Sequence, residues 1–242
     1  VCLLAPWPAG AQVPFPSVVD RIAGVRVQGA RVLTGGAPRG TRVEFGDMDL
    51  FGIAGLRLSG VRAEGYAGGW LLGAEVCRLG APVGTHTRAT LCAGAGAARW
   101  RVGVRSGIES LALSGVAGES VVVTALVSGI DVGGVALLAD VESLSGSAGR
   151  KTSMTVALAG PVAAGARVLA SMRYDGPGAL AVGAAAIVPL HRALSLLAGY
   201  DDGSETARAG AAVTAGRWSL ATGVFRHAVL GMSQGVSLSV TW

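Results

Sequence analysis

The stretch Gly235-Val236-Ser237-Leu238-Ser239-Val240-Thr241-Trp242 alternates without a break. Successive side chains of an extended chain point to opposite sides, so Val236, Leu238, Val240 and Trp242 share one face. Gly235, Ser237, Ser239 and Thr241 share the other. A helix would scatter both sets around its circumference, so this segment reads as a strand with one apolar face and one small, polar face. The same pattern recurs upstream. Trp100, Val102 and Val104 oppose Arg99, Arg101, Gly103 and Arg105; Ala166, Val168, Ala170 and Met172 oppose Gly165, Arg167, Leu169, Ser171 and Arg173. Ala207, Ala209, Ala211 and Val213 oppose Thr206, Arg208, Gly210, Ala212 and Thr214.

Composition says what solvates the apolar faces. Of the 242 residues 51% are hydrophobic and only 14% charged, and mean hydropathy is +0.54. A soluble domain carries about 25% charge. The outer face of a soluble sandwich would show many more Lys and Glu residues than these strands do. A disordered or collagen-like chain is excluded by the same apolar fraction and by the lack of a Gly-X-Y repeat among the 39 glycines. The net charge of +5 comes almost wholly from arginine, Lys151 being the only lysine. These arginines are scattered singly, with no basic run or aromatic-flanked patch, so nucleic acid is not expected as a partner.

Only α-helices and closed β-barrels satisfy their backbone groups inside hydrocarbon. The best helical candidate, Val121 to Val141, contains Asp131 and Asp140, and an Asp at a helix centre costs about 2.5–3.5 kcal/mol. A second, Gly178 to Leu190, is cut short by His191 and Arg192. Frequent glycine weakens helices further. The expected fold is therefore all-β: a transmembrane antiparallel up-and-down β-barrel.

Turn signals divide the chain into fourteen segments, beginning 22–34, 50–63 and 66–79 and ending 217–227 and 234–242. Most are near the ~9–11 residues of a tilted membrane strand. Dropping the weakly alternating first two would leave twelve. Three regions result: 1–11 as a residual signal peptide, 12–49 as an N-terminal segment with a first strand and loop, and 50–242 as the barrel. The signal reading rests on Ala9-Gly10-Ala11, a small-x-small pattern behind a short apolar stretch. Odd-numbered gaps, such as Gly35 to Asp49, Gly80 to Thr85 and Ala112 to Gly118, are expected to be the long loops; even-numbered gaps such as Glu64-Gly65 are tight turns. Both termini then lie on the tight-turn side. Tyr66, Trp70, Trp100, Tyr174, Tyr200 and Trp218 sit near segment ends, where girdle aromatics meet the headgroup layers.

These alternating strands, the segregated loops and Val236-x-Leu238-x-Val240-x-Trp242 resemble a Gram-negative outer-membrane β-barrel of the porin-like kind, over nearly the whole mature chain. The resemblance implies residence in the cell outer membrane, contact with outer-membrane lipid and lipopolysaccharide, and recognition of Val236, Leu238, Val240 and Trp242 as the signal read by the barrel-assembly machinery during insertion. It also implies transport through the lumen, without a cofactor.

Arginine facing lipid near the midplane costs about 2–4 kcal/mol, so Arg57, Arg88, Arg99, Arg101, Arg105, Arg167, Arg173, Arg208 and Arg217 are expected inside, with Glu75, or near an interface. A ring of such cations favours small anionic solutes in a water-filled pore. The other reading pairs them with acids in a filled, non-conducting barrel of structural or assembly-associated role.

Catalysis has less support. Gly231-Met232-Ser233-Gln234-Gly235 matches G-x-S-x-G, but that motif needs a strand-to-helix elbow and here it opens a strand. The chain has no Asn, which rules out a His-Ser-Asn phospholipase triad. His86 with Glu75 on a facing strand is the remaining option for a lipid-modifying enzyme. Cys77 and Cys92 have no metal-type spacing to any His cluster. A hairpin turning near Pro82 offsets them by ~16 Å, at ~3.3 Å per residue, so two free thiols are expected.

Overall fold

A computed structural model describes residues 40–242 except 68, 97–99, 115–117, 148, 163–164, 177–179 and 203–204, and excepting the side chains of 40, 66, 67 and 101. Fourteen strands follow one another. They are β1 (Gly40–Asp49), β2 (Arg57–Ala67), β3 (Trp70–Ala81), β4 (Gly84–Gly96), β5 (Trp100–Leu113), β6 (Glu119–Val132) and β7 (Val135–Gly146). The second half comprises β8 (Gly149–Pro161), β9 (Arg167–Tyr174), β10 (Leu180–His191), β11 (Leu194–Asp201), β12 (Thr206–Ala215), β13 (Trp218–His227) and β14 (Gly231–Thr241). Each pairs antiparallel with its neighbours in sequence, and β14 pairs with β1 to close the barrel. Closure removes every sheet edge, so no strand leaves a row of unpaired backbone groups. No helix among the described residues is long and apolar enough to cross a membrane; the strands supply the span.

Period two sorts the side chains. On β3, Trp70, Leu72 and Val76 point outward, Leu72 being 63% exposed, while Glu75, Cys77 and Leu79 point inward and are buried. Val102, Val104 and Ile108 on β5, Leu126 and Ile130 on β6, and Leu158 on β8 extend the outer apolar band. A packed second layer would bury these side chains, and none among the described residues covers them. Such a band is what hydrocarbon solvates.

The first described strand falls where the turn signals indicate a loop. Gly35 to Asp49 reads as a loop because of its charges, yet Gly40–Asp49 is β1, registered between β14 (Val43 with Val240, Phe45 with Leu238) and β2 (Phe45 with Val61). Its charges alternate: Arg42 and Glu44 face inward, while Val43 and Phe45 face outward. The expected segment 22–34 and the signal-like residues 1–11 lie outside the described residues.

The expected asymmetry of loops is weak in the structure. Odd-numbered connections span 50–56, 82–83, 114–118, 147–148, 175–179, 202–205 and 228–230. Even-numbered ones span 68–69, 97–99, 133–134, 162–166, 192–193 and 216–217. Residues assigned to long loops instead lengthen the strands, because each added pair satisfies two more backbone groups. At 133–134 both glycines have positive φ (62° and 86°), the geometry of a two-residue hairpin whose twist matches its strands. Pro189, which has no N–H to give, lies where the β10–β11 register shifts.

Candidate functional site

The interior has two zones. Near the odd-connection end it is apolar. Met48, Leu50, Leu58, Cys77, Leu79, Leu197, Ala221 and Phe225 form one buried cluster, with Phe51, Leu56, Ile187 and Ala212 packed against it. These residues come from the inner faces of β1–β3 and β10–β13 and from the 50–56 connection, about half of the ring. Leu58 is fully buried (0%), so this part of the interior is closed to water. The connection is pinned inward: the Phe51 N–H donates to Ser233 Oγ at 2.9 Å, and the Phe51 ring meets His227 edge-on with centroids 5.9 Å apart.

A second zone, on β4, β5 and β7, is ionic instead. Arg88 donates to Glu142 Oε2 at 2.5 Å, and Arg105 donates to the same oxygen at 2.6 Å and to Asp140 Oδ2 at 3.2 Å. Glu109 lies 3.5 Å from Arg88 and 2.8 Å from His86 Nε2. The chain His86–Glu109–Arg88–Glu142–Arg105–Asp140 thus runs from the rim inward along β4, β5 and β7. From Glu109 to Asp140 its members alternate in sign, which offsets part of the cost of taking them out of water. Elsewhere on the inner face Arg62 meets Glu64 at 3.1 Å, Arg42 meets Glu44 at 3.4 Å and Arg208 meets Asp201 at 3.1 Å.

The arginines expected inside divide into groups. Arg88, Arg105, Arg173 and Arg208 face the interior, as does Glu75, and each of those arginines is held by an acid, Arg173 by Asp175. Arg167 shares the inner parity but is exposed at the start of β9. Arg57 does not line the interior. Period two puts it outward beside Asp47, because Leu58 takes the inner position. Arg217 lies in the 216–217 turn and is exposed. Arg99 and the Arg101 side chain lie outside the described residues. Sequence alone does not single out the acids Glu109, Asp140 and Glu142, although each alternates with outward residues on its strand, because the arginines they answer lie on other strands. A purely cationic lumen is therefore not what the described residues form: cations and acids are matched nearly one for one.

Among the aromatics, Trp70, Trp100 and Trp218 point outward at the even-connection end, and Tyr174 and Tyr200 outward at the other. The Tyr66 side chain lies outside the described residues. Val236 and Leu238 are exposed on β14 and Val240 is buried, while Trp242 follows the strand and is exposed. Ser233 of the G-x-S-x-G stretch lies inside β14, and His86 engages Glu109 where Glu75 was expected. Glu75 is registered with Thr90, four residues from His86. Cys77 is opposite Arg88, Cys92 is opposite Gly73, and both are free thiols. No group of His, Cys, Asp and Glu among the described residues is placed to hold a metal ion.

A closed fourteen-stranded antiparallel barrel with an apolar exterior and a partly polar interior is a porin-like β-barrel in architecture. Solved structures agree. The chain is similar in fold to a TodX deletion mutant, a monoaromatic hydrocarbon channel, with TM-score 0.62, 12% identity, and 85% of this chain and 91% of that one covered. It is similar to the toluene transporter TbuX of Ralstonia pickettii, with TM-score 0.60, 10% identity, and 84% and 90% covered. The KdgM porin gives TM-score 0.51 at 8% identity, with 83% and 99% covered. No protein-family model matches the chain, and no curated protein matches it in sequence.

Proposed function

We propose that this protein is an outer-membrane channel that passes small solutes passively, drawn here in an occluded state. The observation that carries the proposal is the buried ionic network of β4, β5 and β7. A barrel that only had to be filled gains nothing from Arg88, Arg105, Asp140 and Glu142 buried together, since apolar contents are often as stable or more so. Placed along a conduction path, the same groups offer polar solutes successive partners. The fold neighbours, whose names describe channels, transporters and porins, support the same reading.

The pairing changes the expected selectivity. Arginines neutralised by Glu109, Asp140 and Glu142 cannot act as a bare cationic ring, so preference for anions is weak. Occlusion at Leu58 and Arg88 also favours a second reading, a non-conducting outer-membrane barrel of structural or assembly-associated role. Planar-bilayer recording and proteoliposome swelling separate the two. A channel gives small unitary currents with little ion preference and admits small neutral sugars or aromatics. Folded protein giving neither current nor swelling above protein-free vesicles establishes the scaffold. Replacing Glu142 by Gln leaves Arg88 and Arg105 less compensated, and a conducting barrel should then shift its reversal potential toward anions.

A further inference from the structure

The inner wall from β8 to β11 encloses a small cavity, lined by Thr155 of β8, Ser171 and Arg173 of β9, Gly183 of β10 and Asp201 of β11. Its open space is about 10 Å³, roughly the room of one water molecule. Arg173 gives Nη2 to Asp175 just beyond its strand, while its Nε is buried with no hydrogen-bond partner among the described residues. Thr155 is registered with Arg173 on one side and with Asp140 of β7 on the other, so the three side chains form one row on the inner face. Asp140 is 5% exposed and its Oδ2 accepts from Arg105. Its Oδ1 is the only buried side-chain oxygen among the described residues with no hydrogen-bond partner. Charge is unevenly shared across this row. On the Asp140 side three carboxylates, Glu109, Asp140 and Glu142, divide Arg88 and Arg105 between them. On the Arg173 side the balance is reversed: Lys151 and Arg167 share its inner parity, and β8 and β9 contain no acid.

From this row we infer that the interior holds a binding site for a small zwitterion, an amino-acid-like solute with an ammonium and a carboxylate a few bonds apart. The ammonium donates to Asp140 Oδ1, and the carboxylate accepts from Arg173 Nε beside the Thr155 and Ser171 hydroxyls. Spacing supports the assignment. Side chains of neighbouring strands stand off a sheet in the same direction, and β7 and β9 lie two strand spacings apart, about 9.6 Å at ~4.8 Å each. Two hydrogen bonds of ~2.9 Å leave roughly 4 Å for the solute's own charge separation. That span is too short for a long diamine or dicarboxylate, and the cavity admits only a compact headgroup. Charge decides the class. A simple cation satisfies Asp140 and is repelled at Arg173, and a simple anion meets the reverse. A polyol can bond to both atoms but leaves the surplus charge on each side unanswered. Only a solute of both signs supplies charge-assisted hydrogen bonds at both ends. The inference deepens the channel reading by naming a solute class; it rests on that reading for passage but not for binding.

The test is a ligand-observed NMR titration of isotope-labelled glycine against the folded chain in non-ionic micelles. Acetate, methylammonium and glycerol are titrated separately, as the anionic half, the cationic half and a neutral polyol. Glycine is expected to bind at least tenfold more tightly than any of the three. Asp140→Asn and Arg173→Gln should each weaken glycine binding at least tenfold, while Arg57→Gln on the outer rim leaves it unchanged. Acetate, methylammonium or glycerol binding as tightly as glycine overturns the inference. So does undetectable glycine binding, or glycine affinity unchanged in either inner variant. If neither inner variant folds, the comparison of solutes on the parent chain decides alone. Conduction is recorded separately in planar bilayers and by proteoliposome swelling in glycine. Current without glycine binding removes the site and leaves the channel, whereas glycine binding without current or swelling removes the channel and leaves the site.

Discussion

Glu142 is the hinge of the buried ionic wall, and its replacement by Gln is the sharpest test of how the interior is held. The carboxylate is 3% exposed and accepts from Arg88 at 2.5 Å and Arg105 at 2.6 Å, which are themselves 1% and 5% exposed. Charge-assisted hydrogen bonds contribute about 1.5–3 kcal/mol each, and stranding a buried charge costs about 3–5 kcal/mol. Two remaining contacts soften the loss, Arg88 to Glu109 at 3.5 Å and Arg105 to Asp140 at 3.2 Å. Glu142→Gln is therefore expected to destabilise the barrel by about 3 kcal/mol. Reversible urea unfolding in detergent or lipid vesicles, followed by tryptophan fluorescence, measures this directly. The matched control is Arg57→Gln, which breaks the ion pair with Asp47 on the outer rim and should cost far less, because that pair is open to solvent and screened. Losses of similar size at both positions would falsify the claim that the inner pair network is desolvated and the rim pair is not.

Other expectations follow from packing. A Cβ on Gly107 meets the Ala89 carbonyl oxygen and lies 2.7 Å from Thr90 Cγ2; Gly107→Ala should cost about 1–3 kcal/mol in the same unfolding assay, and a neutral result would mean that β4 and β5 separate there. Leu126, exposed midway along β6, faces hydrocarbon, so Leu126→Arg should lose about 2–4 kcal/mol in bilayers. A change below half that would move this face out of the lipid. Cys77 is 1% exposed and should resist a maleimide in the folded barrel while reacting in urea; labelling at the denatured rate would show the apolar zone open to solvent.

Much of the architecture is legible in the residues because hydrocarbon imposes period two on every strand. Val236 to Trp242, Trp100 to Arg105 and Ala166 to Arg173 announce their faces whatever their neighbours do. Strand number follows from turn signals, and fourteen strands are present. The first strand was misplaced for a physical reason: Arg42, Glu44, Asp47 and Asp49 give Gly40–Asp49 the charge density of a loop. A strand whose inner face is ionic and whose outer face ends at a charged rim differs little from one in local sequence. Loop lengths were overread for a related cause, since polar residues that continue a strand beyond the apolar band resemble a connection.

What the sequence determined alone is the membrane-facing surface. Its rule is local: each outward residue answers to lipid, and lipid is the same everywhere along the wall. The interior obeys no such rule. Whether Arg105 stands bare or bound depends on Glu142 and Asp140, more than thirty residues away, brought two strands round the ring by a register that only pairing sets. Parity alone could flag Arg57 as outward only once Leu58 was known to be the inner residue. Shear, register and closure carried distant charges together, and so only the tertiary structure decided that the arginines inside this barrel are answered by acids.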